Sequence, residues 1–466
     1  MMKLRKKTLL YIVSILGITV GVVTYMLDLD IYIANVNNIA NAGLLCFVHF
    51  LIMLILSYKY NGKFNLYSIY LLAFFFFQCG QFALYGLRVD YNYFYIEHFD
   101  KSVLFKTIFF SCLCNMSAFL AVPFALSQHK NLFLDKLNNL SASSVYTIAK
   151  RIFLVISLVE IPYCLLRFII VLNQGYQGVR SLEANMPSVL PFIDMLYVPI
   201  TILCIIYSQY NHKLFSLVLI TWGIINSLNG DRSSGIAAIM IFGLMYFNGI
   251  IGTRKINIKK RITLIIIMLL CAWLISYAYD FRNHVVNTGD SNKPSFIVNA
   301  VGELGFSFFP LMATMMICPS NVDFLYGKTI ICSFLSSIMP LSFDFTGIFR
   351  QLYEISKEGI YWLNNYYDFS FGLGYSLNAE SYANFGILGF IWIFLLNIMV
   401  SKILYQPDYT RQDNKYSQYV SFSMLFILFT MPRRSCYYLA NFYIYQVIVI
   451  GLIMLYFGKF KSKNIR

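Results

Sequence analysis

Apolar runs close to 20 residues long recur from one end of the 466-residue chain to the other, separated by short polar blocks. Each run is long enough to cross a bilayer core about 30 Å thick as a helix. Twelve spans follow from this pattern: 8–27, 41–57, 66–87, 103–126, 152–173, 190–208, 214–229, 233–251, 262–280, 386–404, 418–431 and 436–458. Composition agrees with the pattern. The chain is 59% hydrophobic and 12% charged, with mean hydropathy +0.65. Soluble proteins carry about 25% charged residues, so a water-soluble multidomain enzyme is excluded. Disorder is excluded too, because it requires low hydrophobicity. The sequence predicts an all-α polytopic integral membrane protein.

Charge orients the spans. The formal net charge is +15, but the basic residues sit in short blocks between apolar runs, with no nucleic-acid-binding motif beside them. With the basic stretch Lys3–Lys7 inside, seven cytoplasmic blocks hold 23 of the 36 basic residues, as the positive-inside rule requires, and both termini are cytoplasmic. The apolar run after Lys7 resembles a signal peptide but lacks a small-residue cleavage site, so it reads as an uncleaved first span. The 13 basic residues on the other side include eight arginines: Arg88, Arg167, Arg180, Arg232, Arg282, Arg350, Arg433 and Arg434. Arginine carries the planar fork that suits phosphate and carboxylate. The plain alternative is snorkelling at helix ends.

Three divisions result: an N-terminal membrane bundle over 1–281, a large extracytoplasmic loop over 282–385, and C-terminal membrane helices over 386–466. The loop holds two further apolar stretches, 296–318 and 329–343, broken by Gly302, Gly305, Pro310 and Pro340. Glu303 and Asp344 favour half-buried helices there, with fourteen spans as the alternative. The ten cysteines lie mostly in apolar runs, and no Cys/His cluster has zinc spacing. No metal and no cofactor is expected.

Candidate chemistry collects in the extracytoplasmic turns. Asn229-Gly230-Asp231-Arg232-Ser233-Ser234-Gly235 joins two spans and starts a helix whose N-terminus, beside Arg232, suits a phosphate. Equally, Asp231 serves as an ordinary N-cap. Arg282 and His284 follow the next outward span, and Arg433 and Arg434 fill the turn between the last two. Adjacent arginines repel unless an anion lies between them, and lipid head groups are the plain alternative. Glu380 is framed by glycines and by Tyr375, Tyr382 and Asn384, with Trp362 upstream. A partly buried carboxylate there is a candidate base, with Glu303 and His284 in reserve. The aromatics suit sugar rings, or else form an interfacial belt. Asp28-Leu29-Asp30 imitates a metal-binding pair, a pattern common by chance. Glu160, inside a span, reads as a transporter's proton site or as a partner for Arg167 seven residues on.

Around Gly374–Ala379-Glu380-Ser381-Tyr382-Ala383-Asn384-Phe385-Gly386-Ile387-Leu388-Gly389 the chain resembles the bacterial Wzy-type O-antigen polymerases and the related O-antigen ligases. Span order and charge agree with them along nearly the whole chain, and the motif itself covers about twenty residues. The resemblance implies an inner-membrane, metal-independent glycosyltransferase of the GT-C type. It would join undecaprenyl-pyrophosphate-linked repeat units on the periplasmic face. Arg232, Arg282, Arg433 and Arg434 would then bind pyrophosphate, Tyr375, Tyr382 and Trp362 would bind sugar, and Glu380 would serve as base. The spacing from Arg232 to Gly243 fits a pattern described for some members. Ligases carry a histidine where this chain has Glu380, which favours polymerase over ligase. Its partners would be the lipid-linked oligosaccharides, membrane lipids and a chain-length regulator in the inner membrane, and no nucleic acid. A flippase for the same lipid-linked sugars is the main alternative. It is disfavoured by the long loop and the absence of internal duplication.

Overall fold

The computed structural model describes residues 11–17, 36–61, 65–122, 132–184, 189–208, 212–229, 231–251, 258–282, 294–366, 375–404 and 414–463. Every regular element among them is helical. The longer helices are α1 Val36–Asn61, α2 Leu66–Gly86, α3 Lys101–Leu120, α4 Ala142–Ala184, α5 Val189–Tyr207, α6 His212–Leu228, α7 Arg232–Phe247 and α8 Ile258–Arg282. Then come α9 Phe296–Gly305, α10 Phe309–Ile317, α11 Lys328–Ser336, α12 Ile348–Ser356, α13 Glu358–Tyr366, α14 Leu377–Phe385 and α15 Gly389–Leu404. The chain closes with α16 Lys415–Thr430, α17 Cys436–Phe442, a π-helical segment Tyr443–Val449 and α18 Ile450–Lys463.

Eight helical stretches among the described residues are long and apolar enough to cross a membrane, against the twelve spans read from sequence. Seven overlap expected spans. The eighth is Phe296–Ile317, the first of the two apolar stretches in 282–385 that the sequence favours as half-buried helices, with membrane spans as the alternative. A 3-10 turn at Phe306–Phe308 joins α9 to α10, and Pro310 falls in the first turn of α10, where a missing N–H costs no hydrogen bond. The proline therefore continues the stretch. This broken helix packs into the bundle against α2: Gln81 Nε2 donates to Gly302 O at 2.9 Å, and the Phe82 and Phe308 rings lie 4.5 Å apart. The second stretch, 329–343, yields only the nine-residue α11 and a 3-10 turn.

Of the remaining expected spans, 262–280 lies inside the 25-residue α8. Three others are apolar helices of fewer than 18 residues: α6 with 17, and α7 and α16 with 16 each. At 1.5 Å per residue, 16 residues reach about 24 Å, less than a bilayer core. Span 8–27 lies outside the described residues except for 11–17.

Burial separates inner from outer helices. In α2 and α3, 72% of the apolar window is buried, whereas in α4 only 28% is, and Leu158 is 78% exposed. An apolar surface of that kind belongs against lipid. Close backbone approach fixes the α6–α7 hairpin. A Cβ on Gly235 would overlap the Gly223 carbonyl and Ser227 Oγ, so the two helices meet as small-residue faces do in membranes.

Candidate functional site

The short helices α6, α7 and α16 end near one another at one end of the bundle and leave a recess there. A cavity of about 390 Å³ fills it, bounded by Asp194 and Phe192 of α5, Trp222 of α6, Asp231 and Ser234 at the start of α7, and Arg434 with Tyr437 and Tyr438 around the start of α17. Pro340, Leu341 and Tyr353 from the 337–356 segment close its other side. The volume lies within the range of small-molecule sites, about 300–1,000 Å³.

Asp231 is the N-cap of α7. Its Oδ1 accepts from Ser234 N at 3.3 Å and from Ser233 Oγ at 3.1 Å, which satisfies two donors at a helix start. Arg434 Nη2 approaches the same oxygen at 3.8 Å and Ser234 Oγ at 3.4 Å. Burial pushes the Asp231 carboxyl up, but the Arg434 guanidinium and the Ser234 donors outweigh it and hold the group below its ordinary range. The guanidinium also lies over the Tyr438 ring, 4.8 Å from its centroid. Tyr437 stands 5.8 Å from Tyr438 and 4.6 Å from Tyr353, so three tyrosines line one wall. Lys357 Nζ sits 3.8 Å from the Tyr353 ring centre, and burial lowers the pKa of that ammonium. The site thus offers a fixed cation beside flat aromatic faces, a combination suited to an anionic sugar derivative.

Glu380, which the sequence marks as a partly buried candidate base, is fully enclosed and does not line the cavity. Ser376 caps α14, Gly386 turns the chain at φ 57°, and all of Leu377–Asn384 is buried. Gly389 lies so close to the Ser381 carbonyl that a Cβ would clash. Glu380 itself is 1% exposed, and its Oε2 accepts from Cys436 N at 2.6 Å. The carboxylate therefore meets the backbone just after the Arg433-Arg434-Ser435 turn. Two more contacts hold that turn: Gln78 Nε2 donates to Pro432 O, and Ser337 Oγ donates to Tyr437 O at 3.5 Å.

Nor does the structure bring the expected sugar-binding residues to the cavity. Tyr382 packs edge-on against Phe110 and Phe324, at 5.3 and 6.0 Å. Tyr375 is buried with its hydroxyl against Gly359 and Thr314. Trp362 lies on α13 away from the lining. Aromatic side chains fill a core as readily as they stack on sugars, so sequence spacing did not separate the two uses. Of the expected phosphate-binding arginines, Arg434 faces the cavity and Arg433 is exposed beside it. Arg232 is the first residue of α7 and Arg282 the last of α8; their side chains lie outside the described positions. Glu303 lies on α9, away from the cavity lining, and His284 falls outside the described residues.

Sequence reasoning missed Asp194, Tyr353, Tyr437 and Tyr438. For Asp194 a signal was present, a lone acid inside the apolar run 190–208. Among the described residues no group of three or more His, Cys, Asp or Glu is placed to hold a metal ion.

Comparison with known proteins adds one match. No curated protein and no solved structure matches the chain. The family model of the O-antigen polysaccharide polymerase Wzy, by contrast, matches residues 9–464, nearly the whole length. An all-helical membrane bundle whose cavity pairs a fixed arginine with a tyrosine wall is in keeping with that family's lipid-linked oligosaccharide chemistry, and the chain belongs to the O-antigen polysaccharide polymerase Wzy family.

Proposed function

We propose that the Arg434 cavity is where undecaprenyl-pyrophosphate-linked repeat units are joined, on the periplasmic face of the inner membrane. A hydroxyl of the unit on one lipid attacks the anomeric carbon of the glycan on the other. The new glycosidic bond forms as the bond to pyrophosphate breaks, and the leaving group takes the electron pair. Developing negative charge in a site of low dielectric needs a fixed cation. Arg434 supplies it without calling for a metal, and Asp231 keeps the guanidinium oriented. The tyrosine wall formed by Tyr353, Tyr437 and Tyr438 takes the place expected for Tyr375, Tyr382 and Trp362 as the sugar-facing surface. Arg232, the first residue of α7, and Arg282, the last of α8, are assigned with Arg433 to the same pyrophosphate-binding role.

The observation that carries this reading is the convergence of Arg434, Asp231 and the tyrosine wall on one cavity. Glu380 acts in it as a positioning residue, since its carboxylate fixes the backbone that bears Arg434. A chain-length regulator in the same membrane fits as the partner that decides when polymer is released.

The test is the surface polysaccharide ladder with and without the gene. A polymerase predicts loss of long chains with a single-repeat band retained. Loss of every capped band would instead support a flippase or a ligase.

A further inference from the structure

Behind the cavity wall lies a pair of carboxyls that the reading above leaves unused. Asp194 of α5 lines the cavity. Glu160 of α4 is 1% exposed, and its Oε1 accepts from Trp222 Nε1 at 3.0 Å. Glu160 Oε2 and Asp194 Oδ1 are both buried, and neither receives an N–H or O–H donor. The two side chains lie within hydrogen-bonding reach of each other. Two carboxyls in such contact repel each other when both are ionised, and a single proton held between them gives both orphan oxygens a partner. The groups facing the pair are Arg167, Cys164 and Tyr197 from α4 and α5, Asp231 from the α7 cap, and Arg434 from the turn before α17. Arg167 is 5% exposed, so a second cation is buried beside the acids.

We propose that Asp194, backed by Glu160, accepts the proton of the attacking sugar hydroxyl. The inference rests on the polymerase reading of this cavity. As the hydroxyl oxygen bonds to the anomeric carbon, its proton passes to Asp194, and the pair goes from one negative charge to none. Undecaprenyl pyrophosphate departs with the electrons of the broken bond, its charge held by Arg434. The pair then returns the proton to water. Asp194 is the group that meets substrate, and Glu160 is a positioning residue that acts through it.

The experiment uses the full-length protein in detergent, with the lipid-linked repeat unit as substrate. It measures binding of the unit, polymer formed and the pH dependence of the rate. Asp194→Asn is expected to bind the unit normally and to lose polymer formation by about 100-fold or more. Glu160→Gln retains a hydrogen-bond donor to Asp194, though a weaker one, so it is expected to stay active with the acid limb of its pH profile moved to higher pH. Glu160→Leu is expected to fall about tenfold. If Asp194→Asn cannot be recovered folded, the pH profile of Glu160→Gln decides. Polymer formation by Asp194→Asn within threefold of wild type, or an unmoved acid limb in Glu160→Gln, would overturn the proposal. Wild-type protein that makes no polymer would instead overturn the polymerase reading beneath it.

Discussion

Arg434 stands 3.8 Å from the carboxylate of Asp231, joining two turns that lie about 200 residues apart in sequence. The pair is neither sealed nor free, since the two side chains are 26% and 28% exposed. An ion pair of that length and exposure contributes about 0–1 kcal/mol. Asp231 thus aims the guanidinium at little energetic cost to an incoming phosphate, which offers the fork a bidentate partner.

This arrangement predicts a charge effect at Asp231 that is separable from capping. Asparagine caps a helix as well as aspartate does, so Asp231→Asn preserves the start of α7 while removing the charge. The wild-type carboxyl is held below the ordinary value near 3.9. Its contribution to stability is therefore fully present above about pH 4 and is lost as pH falls through the lowered value. Thermal unfolding followed from pH 6 to pH 2.5 is expected to show a shallower acid decline for Asp231→Asn than for wild type. Superimposable declines would show that Arg434 does not engage the carboxylate. Asp231→Ala, which loses the cap as well, is expected to cost a further 0.5–2 kcal/mol or so.

Glu380 offers a test of positioning against chemistry. Its contact with Cys436 N is a buried hydrogen bond worth about 0.5–1.5 kcal/mol net, and the amide oxygen of glutamine can accept at the same place. Glu380→Gln is therefore expected to lower stability modestly and to retain polymer formation within about threefold. Glu380→Leu leaves the Cys436 N–H unsatisfied and is expected to lose both stability and activity. A folded Glu380→Gln protein with a 100-fold loss of activity would restore Glu380 as a base.

The tyrosine wall is expected to act on binding more than on turnover. Asn441 Nδ2 donates to Tyr437 Oη at 3.0 Å, and the Tyr437 ring packs against Tyr353. Tyr437→Phe keeps the ring, so its KM is expected to stay within about twofold of wild type. Tyr437→Ala removes a stacking surface worth about 0.5–1.5 kcal/mol and is expected to raise KM by about tenfold with kcat largely kept. An equal fall in kcat for both variants would place the hydroxyl in the chemistry.

Much of this molecule is legible in the order of its residues, and the limits are physical. Hydropathy marks α1 to α5 because lipid-facing and core-facing positions are both apolar. The same signal places α6 and α16 to within three residues and overruns the end of α7 by four, but it does not show that these helices have only 16 or 17 residues beside a cavity. At 296–317 glycines and Pro310 look like breaks, although Pro310 falls in a first turn where it breaks nothing. Arg434 and Asp231 are each conspicuous locally, but their meeting depends on how α7 packs against α16 and on the anchoring of one turn by Glu380, Gln78 and Ser337. The glycine-framed motif around Glu380 carries the resemblance to the family, yet its side chains build the support beneath the cavity rather than its lining.

The most direct test of the account is polymer formation from purified lipid-linked repeat units by equal amounts of wild-type protein and Arg434→Lys. Lysine keeps the charge and loses the fork, so losing one charge-assisted contact worth about 1.5–3 kcal/mol lowers the rate by roughly 10- to 150-fold. The account predicts a long ladder from wild type, with undecaprenyl pyrophosphate released for each bond made, and a loss in that range for Arg434→Lys. Full activity of Arg434→Lys would contradict it, because the guanidinium would then not be recognising pyrophosphate in this cavity.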